Sequence, residues 1–382
     1  MEPMLPKTME MGRLLSLAGE VRERAIRLTA HPLPSLSKRL NVLLQAMNAY
    51  YSSKIEGQDM PPADLIAALE ADSTSDSAQH SVLVEARLLL GLWGQDFLSD
   101  KNWRALFSVD TLKDIHLQFF SPVQSDGLQA ETSFETPGQL RTQNNTTGMH
   151  ILPDAKNLGD FLQRWSQAYS ALPDGDMALI GLACAHHRLV WIHPFNHGNG
   201  RVARLHSQFV LRAMGLSCGL WSPTRGFAMT QQQYLERLRQ ADHLRQADDD
   251  GRGTLTEQGL VEWVRYFLGV CLDEIKLMEN LLNVSNFKDR LETLLLIEEK
   301  KGLSGLKMQA LIPLHYIAMT GPIERGQFKV MTGMAERSAE RLIKALLDYK
   351  LLRSDTPKGK VYMDLPLACL PLLMPKLWPA AE

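Results

Sequence analysis

The chain has 382 residues, of which 45% are hydrophobic and 22% charged, and its formal net charge at pH 7 is −2. This composition is typical of a globular protein of two or three domains, and the charge gives no overall attraction to nucleic acid or an anionic membrane. The sequence shows neither a signal-peptide pattern nor an apolar stretch of membrane-spanning length. We therefore expect a cytoplasmic protein with no membrane association.

The cysteines are far apart in the sequence, and none belongs to a CxxC pair. They are Cys184, Cys218, Cys271 and Cys369. This spacing excludes the usual structural zinc sites and argues against a disulfide framework. We expect reduced, buried thiols.

Apolar residues with helical periodicity dominate the first three quarters of the chain. The predicted helices span residues 36–51, 63–70, 82–93, 109–120, 158–172, 177–190, 201–214, 232–247 and 260–284. Residues 73–77 form a polar linker, and residues 131–153 are rich in Thr, Asn, Gly and Pro, which indicates an exposed hairpin or flap. The sequence thus predicts an N-terminal helical region, 1–100, and a core domain, 101–284.

The composition changes near Ser285, and residues 285–382 predict a winged-helix domain. Helices are predicted at 287–299 and 308–319, and residues 326–355 follow a helix–turn–helix pattern. Lys358 and Lys360 then flank a turn beside a short alternating strand, Val361 to Leu365. Helix, turn, helix and β-wing is the order of a winged helix.

The predicted helix 335–352 presents basic residues on one face, with Glu336 and Glu340 diluting them. The basic residues are Arg337, Arg341 and Lys344. Together with the two lysines of the wing they indicate contact with DNA, with the helix in the major groove. The alternative is a solvated face on a winged helix that contacts protein or dimerises.

Residues 193–204, HPFNHGNGRVAR, combine the features of a phosphate-binding loop. Pro194 and the run Gly198, Asn199, Gly200 force a loop between two predicted helices. Glycines let backbone N–H groups approach an anion closely, and the following helix presents the positive end of its dipole. Arg201 and Arg204, three residues apart, share one helical face and can both reach phosphate oxygens.

His193 begins this loop, where it can take a proton from a hydroxyl nucleophile. Phe195 is better interpreted as the buried anchor of the loop. His186 and His187 form no HExxH motif and are interpreted as packing or surface residues. The alternative is a simple turn with a surface histidine, but the second arginine on the same face makes it the weaker interpretation.

The segment resembles the signature of the Fic family, HPFx(D/E)GNGRxxR, and every fixed position agrees except His197. Residues 50–57, YYSSKIEG, resemble the inhibitory helix motif (S/T)xxxE(G/N), carried by Ser52, Glu56 and Gly57. Residues 137–141, PGQLR, and 148–153, GMHILP, resemble the flap that pairs with the backbone of a target protein; they supply Arg141, Gly148, Met149 and His150. The likeness covers roughly the first three quarters of the chain.

The resemblance implies a mainly α fold: a Fic-type helical core with a small β-hairpin flap, joined to the winged helix. It implies a protein adenylyltransferase, which transfers AMP from ATP to a Ser, Thr or Tyr hydroxyl of a target protein. His193 would be the general base. The nucleotide-binding residues would be Phe195, Asn196, His197, Gly198, Asn199, Gly200, Arg201, Arg204 and, by a looser match, Tyr234 on the adenine side.

Within this set, the resemblance implies that Arg201 binds the β-phosphate and Arg204 the γ-phosphate of ATP. Glu56 would pair with Arg204 and block the productive pose, as in the autoinhibited class of the family, because a carboxylate competes with a phosphate for one guanidinium. The resemblance also makes a homodimer plausible.

His197 stands where the family has the acidic residue that holds Mg²⁺. Mg²⁺ prefers oxygen ligands, so a neutral imidazole is a poor substitute. His197 could act as a cation toward phosphate, could favour a softer metal such as Mn²⁺, or could leave the enzyme weakened or altered. The alternative function is a regulator that senses nucleotide through a feeble Fic core and binds DNA through its winged helix.

Overall fold

The computed structural model describes residues 1–7, 10–30, 33, 36–58, 60–71, 82–83, 85–87, 89–90, 102–125, 136–144, 146–147, 150–248 and 250–377. These residues are mostly helical, with two short antiparallel strand pairs, which confirms the predicted mainly α fold. They form two compact units. The first comprises Met1–Thr29 and Asn48–Ile275, and the second Ala30–Met47 and Lys276–Glu382. The division at residues 100 and 284 stays a prediction.

Ten helices up to residue 282 have bounds that can be described. They are α1 Met11–Thr29, α2 Ser37–Ile55, α3 Pro62–Ala71, α4 Val109–Ser125, α5 Leu158–Ser170, α6 Asp176–Ile192, α7 Asn199–Ala213, α8 Pro223–Met229, α9 Gln231–Asp242 and α10 Glu257–Leu282. Of the predicted helix 82–93, the described residues 82–83, 85–87 and 89–90 are helical, while the predicted linker 73–77 lies outside the described residues.

Two helices of the first unit were not predicted. Helix α1 buries one apolar stripe, which includes Leu14, Val21 and Leu28. Helix α8 is short, and Ser222 caps its N-terminus: the Ser222 hydroxyl accepts a hydrogen bond from the backbone N–H of Thr224.

The helix predicted over 232–247 ends earlier, at Asp242. Beyond it Leu244 forms an antiparallel bridge with Leu255, and the Asp250 carboxylate accepts backbone hydrogen bonds at the start of α10. The backbone of His243 and Arg245 also bonds to Thr256 and Thr254, so residues 243–245 pair with another segment instead of continuing the helix.

The core of the first unit surrounds α6. Every residue from Ala178 to Leu189 is buried, as expected for a mostly apolar helix at the centre of a core. It packs against α1, α5 and α7. Helices α6 and α7 are joined by residues 193–198, so the predicted phosphate-binding loop lies at one end of this central pair.

The predicted hairpin is confirmed by β1, Thr146–Thr147, which pairs antiparallel with β2, His150–Ile151. Thr147 is the partner of His150. The intervening residues Gly148 and Met149, assigned to the flap from the sequence, lie outside the described residues.

In the part of the second unit beyond residue 282, four α-helices precede a two-stranded sheet, and a short helix follows it. The elements are α11 Val284–Lys301, α12 Leu311–Thr320, α13 Arg325–Thr332, α14 Glu336–Asp348, β3 Leu352–Arg353, β4 Tyr362–Met363 and α15 Leu370–Leu373. Strands β3 and β4 are antiparallel, and Val361 bridges to Ile323. The observed α14 ends before the predicted limit at 352, because Leu352 is paired in the sheet.

Cys184, Cys271 and Cys369 are buried free thiols, as expected, whereas Cys218 is exposed. Within the described parts of the chain, no helix has the length and apolar character needed to cross a membrane.

Candidate functional site

The loop between α6 and α7 is held in shape by hydrogen bonds between its own residues. His193 ends α6 in the left-handed region, with φ 52° and ψ 62°. The Asn199 side chain then bonds to Phe195 in both directions: its Oδ1 accepts from the Phe195 N–H at 2.9 Å, and its Nδ2 donates to the Phe195 carbonyl at 2.7 Å. The amide of Asn199 therefore fixes the shape of the loop.

An aromatic stack supports the loop from α4. The buried Phe195 ring stacks on His116 with centroids 4.1 Å apart, and His116 stacks on Phe120 at 4.4 Å. Burial lowers the pKa of His116 to about 4, so the ring is neutral at pH 7. Gly198 has φ +74°, and a Cβ there would lie 2.3 Å from the Phe120 ring, so only glycine fits.

Arg141 is buried and contacts the backbone of the loop, although the sequence assigned it to the flap. Its Nε donates to the His193 carbonyl at 2.8 Å, and its Nη2 donates to the carbonyls of Pro153 at 2.5 Å and Ile192 at 3.4 Å. Its backbone N–H donates to the Pro194 carbonyl at 2.9 Å. Arg141 thus fastens the segment before the hairpin to the backbone of the predicted catalytic residue.

Glu56, Ser52 and Arg204 meet as their sequence motifs predicted. Nη2 of Arg204 donates to Glu56 Oε1 at 2.6 Å and to the Ser52 carbonyl at 3.1 Å, while Nε donates to Ser52 Oγ at 3.1 Å. The Arg204 side chain is 1% exposed and that of Glu56 is 36% exposed. Partial burial opposes the ionisation of Glu56, but the charge and hydrogen bond of Arg204 outweigh it and hold the pKa of Glu56 below its usual value.

The Glu56 carboxylate also lies against the first turn of α7. A Cβ built on Gly200 would be 2.8 Å from Glu56 Oε1, so the absence of a side chain there makes room for the carboxylate. Gly57, with φ +77°, turns the chain after α2 and places Glu56 at the end of that helix. An anion therefore occupies the N-terminus of α7, where backbone N–H groups and the helix dipole favour one.

Arg201 has partners that the sequence did not predict. Its Nη2 donates to Gln58 Oε1 at 2.6 Å, and its Nε lies 3.8 Å from Glu85 Oε2. The Glu85 side chain is 1% exposed, and its Oε1 has no hydrogen-bond partner among the described residues. Burial raises the pKa of Glu85.

Tyr234 of α9 and His186 of α6 form a buried polar group. The Tyr234 hydroxyl is 3.0 Å from His186 Nε2, and His186 Nδ1 is 2.8 Å from Ser207 Oγ. Tyr234 is 2% exposed. Its place beside an adenine ring stays a prediction. His187 is likewise buried, with its Nε2 3.0 Å from the Leu238 carbonyl, which places both histidines in the packing, as interpreted.

His197 is exposed and Asn196 is half-buried at the outer side of the loop. In the described residues, no group of three or more His, Cys, Asp or Glu side chains is arranged to hold a metal ion. The donor at the predicted metal position is an imidazole nitrogen, which does not suit the oxygen preference of Mg²⁺.

Comparison with known proteins agrees with this geometry. Residues 106–211 match the sequence profile of the Fic/DOC family. This segment of the chain is therefore similar to the Fic family. It contains helices α4 to α6, most of α7, the hairpin and the loop that joins α6 to α7.

Curated relatives named protein adenylyltransferase Fic are distantly similar. The chain is 25% identical to the one from Nematostella vectensis over 63% of its own length and 53% of that protein. It is 28% identical to the one from Culex quinquefasciatus over 49% of its own length and 36% of that protein. The chain therefore spans about half the length, or less, of these relatives.

Solved structures share the fold. A Fic family protein from Desulfovibrio desulfuricans G20 aligns over 96% of this chain and 99% of its own, with a TM-score of 0.55 at 16% identity. A Fic domain-containing signalling protein from Bacteroides thetaiotaomicron aligns over 69% of this chain and 95% of its own, with a TM-score of 0.51 at 18% identity.

Proposed function

We propose that this Fic protein is a protein adenylyltransferase that transfers AMP from ATP to a hydroxyl side chain of a target protein. The observation that carries the proposal is the position of the Glu56 carboxylate. It bonds to the buried Arg204 and lies on the first turn of α7, in a place suited to a phosphate oxygen. The names of the curated relatives, distant as they are, support the same activity.

The residues of the loop fit the polyphosphate of ATP. The first N–H groups of α7 have no acceptor within the helix, and the glycines leave them open to an anion. Arg201 would hold the β-phosphate and Arg204 the γ-phosphate. Phe195 and Asn199 would act through the backbone shape that they fix, since Phe195 is buried and the Asn199 amide is bonded to it.

In the proposed reaction a Ser, Thr or Tyr hydroxyl oxygen of the target forms a bond to the α-phosphorus. The bond from that phosphorus to the oxygen bridging the β-phosphate breaks, and pyrophosphate leaves. The hydroxyl proton passes to His193, which is half-buried at the mouth of the loop. Since the donor at His197 does not suit Mg²⁺, this scheme assigns no step to a metal. Mn²⁺ remains the softer alternative.

The same geometry supports self-inhibition. Glu56 and the γ-phosphate would compete for the guanidinium of Arg204, so ATP would enter in its productive pose only after Glu56 leaves. Glu56 lies at the end of α2 and is 36% exposed, so its carboxylate is already partly hydrated before it leaves Arg204.

The test uses ATP labelled at the α-phosphate. Because hydrogen bonds to charged groups contribute about 1.5–3 kcal/mol, Glu56→Gly should label about 10–150-fold more strongly than the wild-type chain. The double variant Glu56→Gly/His193→Ala should lose about 100-fold or more of that gain. ATP labelled at the γ-phosphate is the control and should transfer nothing. Labelling from the γ-position, or a double variant as active as Glu56→Gly, would contradict the proposal.

His197 is tested in the Glu56→Gly background by His197→Asp. We expect a carboxylate at this position to raise labelling in Mg²⁺ and to lower the preference for Mn²⁺, because an oxygen donor suits Mg²⁺. Unchanged labelling and metal dependence would show that the imidazole is not at a metal position.

A second candidate function, DNA binding by the proposed winged helix, has its own supporting observation. Glu336 and Glu340, the acidic residues on α14, both pair with Lys329, at 3.4 Å and 2.6 Å. Because Lys329 offsets their charges, the exposed Arg337, Arg341 and Lys344 are less diluted than the sequence alone suggests. A duplex-binding assay with the full chain tests this proposal. Binding should weaken steeply with salt and with Arg337→Ala/Arg341→Ala, while salt-insensitive binding or none would contradict it.

A further inference from the structure

The segment that carries Glu56 contacts both arginines of the proposed phosphate site, and the inhibitory sequence motif accounts for only one of the two contacts. Nη2 of Arg204 donates to Glu56, as the motif implies. Nη2 of Arg201 donates to the amide oxygen of Gln58 at 2.6 Å, and Gln58 lies outside the motif. Under the proposed function, on which this inference rests, Arg201 binds the β-phosphate. Gln58 therefore stands at a different phosphate from Glu56.

A backbone turn at the end of α2 fixes the position of Gln58. The Gly57 N–H donates to the Lys54 carbonyl at 3.1 Å, and the Gln58 N–H donates to the Ser53 carbonyl at 3.0 Å. With Gly57 at φ +77°, these two bonds form the Schellman motif that ends many helices. Because the backbone of Gln58 is bonded to α2, its side chain is held beside Arg201 as long as the end of α2 is formed.

The other sides of Arg201 contact residues outside the inhibitory segment. Its guanidinium carbon lies 5.3 Å from the centre of the Phe119 ring, and its Nε lies 3.8 Å from Glu85 Oε2. Arg201 is only 8% exposed. If the inhibitory segment left, Arg201 would lose its contact with Gln58, while Phe119 and Glu85 would keep the guanidinium in place with Nη2 available to a phosphate oxygen.

An amide oxygen is a partner that a phosphate can replace. Both form hydrogen bonds to a guanidinium, but the phosphate adds a negative charge, and hydrogen bonds between charged groups are the stronger ones. A phosphate oxygen that bonded to Nη2 of Arg201 would take the place of the Gln58 oxygen, which would then be hydrated. The contact of Gln58 therefore lowers the affinity for a β-phosphate without closing the site permanently.

We propose that Gln58 is a second inhibitory residue, which competes with the β-phosphate of the nucleotide for Arg201. Glu56 opposes the γ-phosphate and Gln58 opposes the β-phosphate, so the inhibited chain disfavours ADP as well as ATP. One helix end thus controls both phosphate contacts, and its departure makes them available together.

The test measures the Kd of ADP and of AMP by calorimetry for the wild-type chain and for Gln58→Ala, which keeps the backbone N–H of the turn. Without the competing amide, the Kd of ADP should fall about tenfold, as for one hydrogen bond to a charged group. The Kd of AMP, which has no β-phosphate, should stay unchanged. An unchanged Kd of ADP, or an equal change for AMP, would overturn the inference.

Gln58→Glu is expected to act in the opposite direction. A carboxylate of nearly the same size would pair with Arg201 more strongly than the amide does, and it would repel the phosphates. The Kd of ADP should therefore rise above that of the wild-type chain. A fall in the Kd of ADP in both variants would show that any change at this position loosens the site, and it would overturn the inference.

Gln231→Ala is the matched control for loosening of the inhibitory helix. The Gln231 amide donates to the Ile55 carbonyl at 3.0 Å, so it holds the same end of α2 through the backbone. Its removal should lower the Kd of ADP much less than Gln58→Ala does. An equal effect of the two variants would attribute the result to the end of α2 as a whole and would overturn the specific role of Gln58.

The effect of Gln58 should persist without Glu56. In the Glu56→Ala background, Gln58→Ala should again lower the Kd of ADP about tenfold, because the two side chains bond to different arginines. A double-mutant cycle measures this directly. If the effect disappeared in that background, Gln58 would act only by placing Glu56, and the inference would fail.

Failure of this inference can be distinguished from failure of the proposed function. If Glu56→Gly transfers label from the α-phosphate of ATP but the Kd of ADP does not depend on Gln58, only the inference fails. If the Kd of ADP responds to Gln58 in a chain that transfers no label, only the proposed adenylyl transfer fails. If ADP binds to none of these chains, both fail.

Discussion

Arg201 and Arg204 belong to the same turn of α7, and each faces one carboxylate. The two carboxylates differ in their distance from the arginine and in their exposure to solvent. Glu56 touches Arg204 at 2.6 Å and is 36% exposed, whereas Glu85 lies 3.8 Å from Arg201 and is 1% exposed. The first is attached to the end of a helix and can leave. Glu85 is enclosed by other residues and cannot leave without disrupting their packing.

The pKa shifts of the two carboxyl groups have opposite signs. For Glu56, the contact with Arg204 outweighs desolvation and the pKa is lowered; for Glu85, desolvation outweighs the more distant Arg201 and the pKa is raised. A carboxylate near an arginine therefore acts as a replaceable counter-ion or as part of the core, depending on its contact distance and burial.

The largest expected effect is on folding stability, and it should fall on Glu85. Glu85→Ala removes an enclosed carboxyl group and leaves Arg201 without it, which should lower the free energy of unfolding by about 3–5 kcal/mol. Glu56→Ala removes one hydrogen bond to the charged Arg204 from a position that is 36% exposed, and it should cost less, about 1.5–3 kcal/mol. Urea unfolding followed by tryptophan fluorescence measures both. Equal losses would remove the distinction between the two carboxylates.

A smaller effect is expected at Gly57. This residue has φ +77° with open space around it, so Gly57→Ala should strain only the backbone that places Glu56, by about 1 kcal/mol. The otherwise wild-type chain should then label itself or its target about fivefold more strongly. The matched control is Gly12→Ala in α1, where the space is also open but φ is not positive. A Gly57→Ala chain as inhibited as the wild type would show that Glu56 does not depend on this turn.

The smallest effect is a pH dependence of opposite sign at the two carboxylates. Because its folded pKa is lowered, Glu56 contributes stability that is full above its ordinary value of 4.5 and is lost as the pH falls below it. Because the pKa of Glu85 is raised, its contribution relative to glutamine should decrease as the pH rises above 4.5. Urea unfolding of wild type, Glu56→Gln and Glu85→Gln between pH 3.5 and 7 measures both slopes. Slopes of the same sign would contradict the comparison.

The sequence predicted the parts of the site that depend on local spacing. The loop follows from Pro194 and the glycines between two periodic helices, and the pair of Glu56 with Arg204 follows from the likeness of two motifs to one family. The contacts of Glu85 and His116 could not be predicted, because they arise from packing between segments far apart in the sequence. Arg141 was identified but given an exposed role, since nothing in PGQLR shows that its side chain turns inward.

Two helices were also not predicted. The buried stripe of α1, which includes Leu14, Val21 and Leu28, has helical spacing that could have indicated it, whereas the seven residues of α8 are too few for periodicity to show. The winged helix, the dimer and the DNA contact stay predictions.

The contacts of Arg141 affect where in the chain substitutions should abolish function. Its guanidinium holds the carbonyl of His193, 52 residues later, although in the proposed reaction it touches neither nucleotide nor target. A genetic screen for inactive variants should therefore recover Arg141 as often as the loop itself. A variant such as Arg141→Lys would keep the charge and lose the fork of donors, so in such a screen it would resemble a defect in His193 although the catalytic residue is intact.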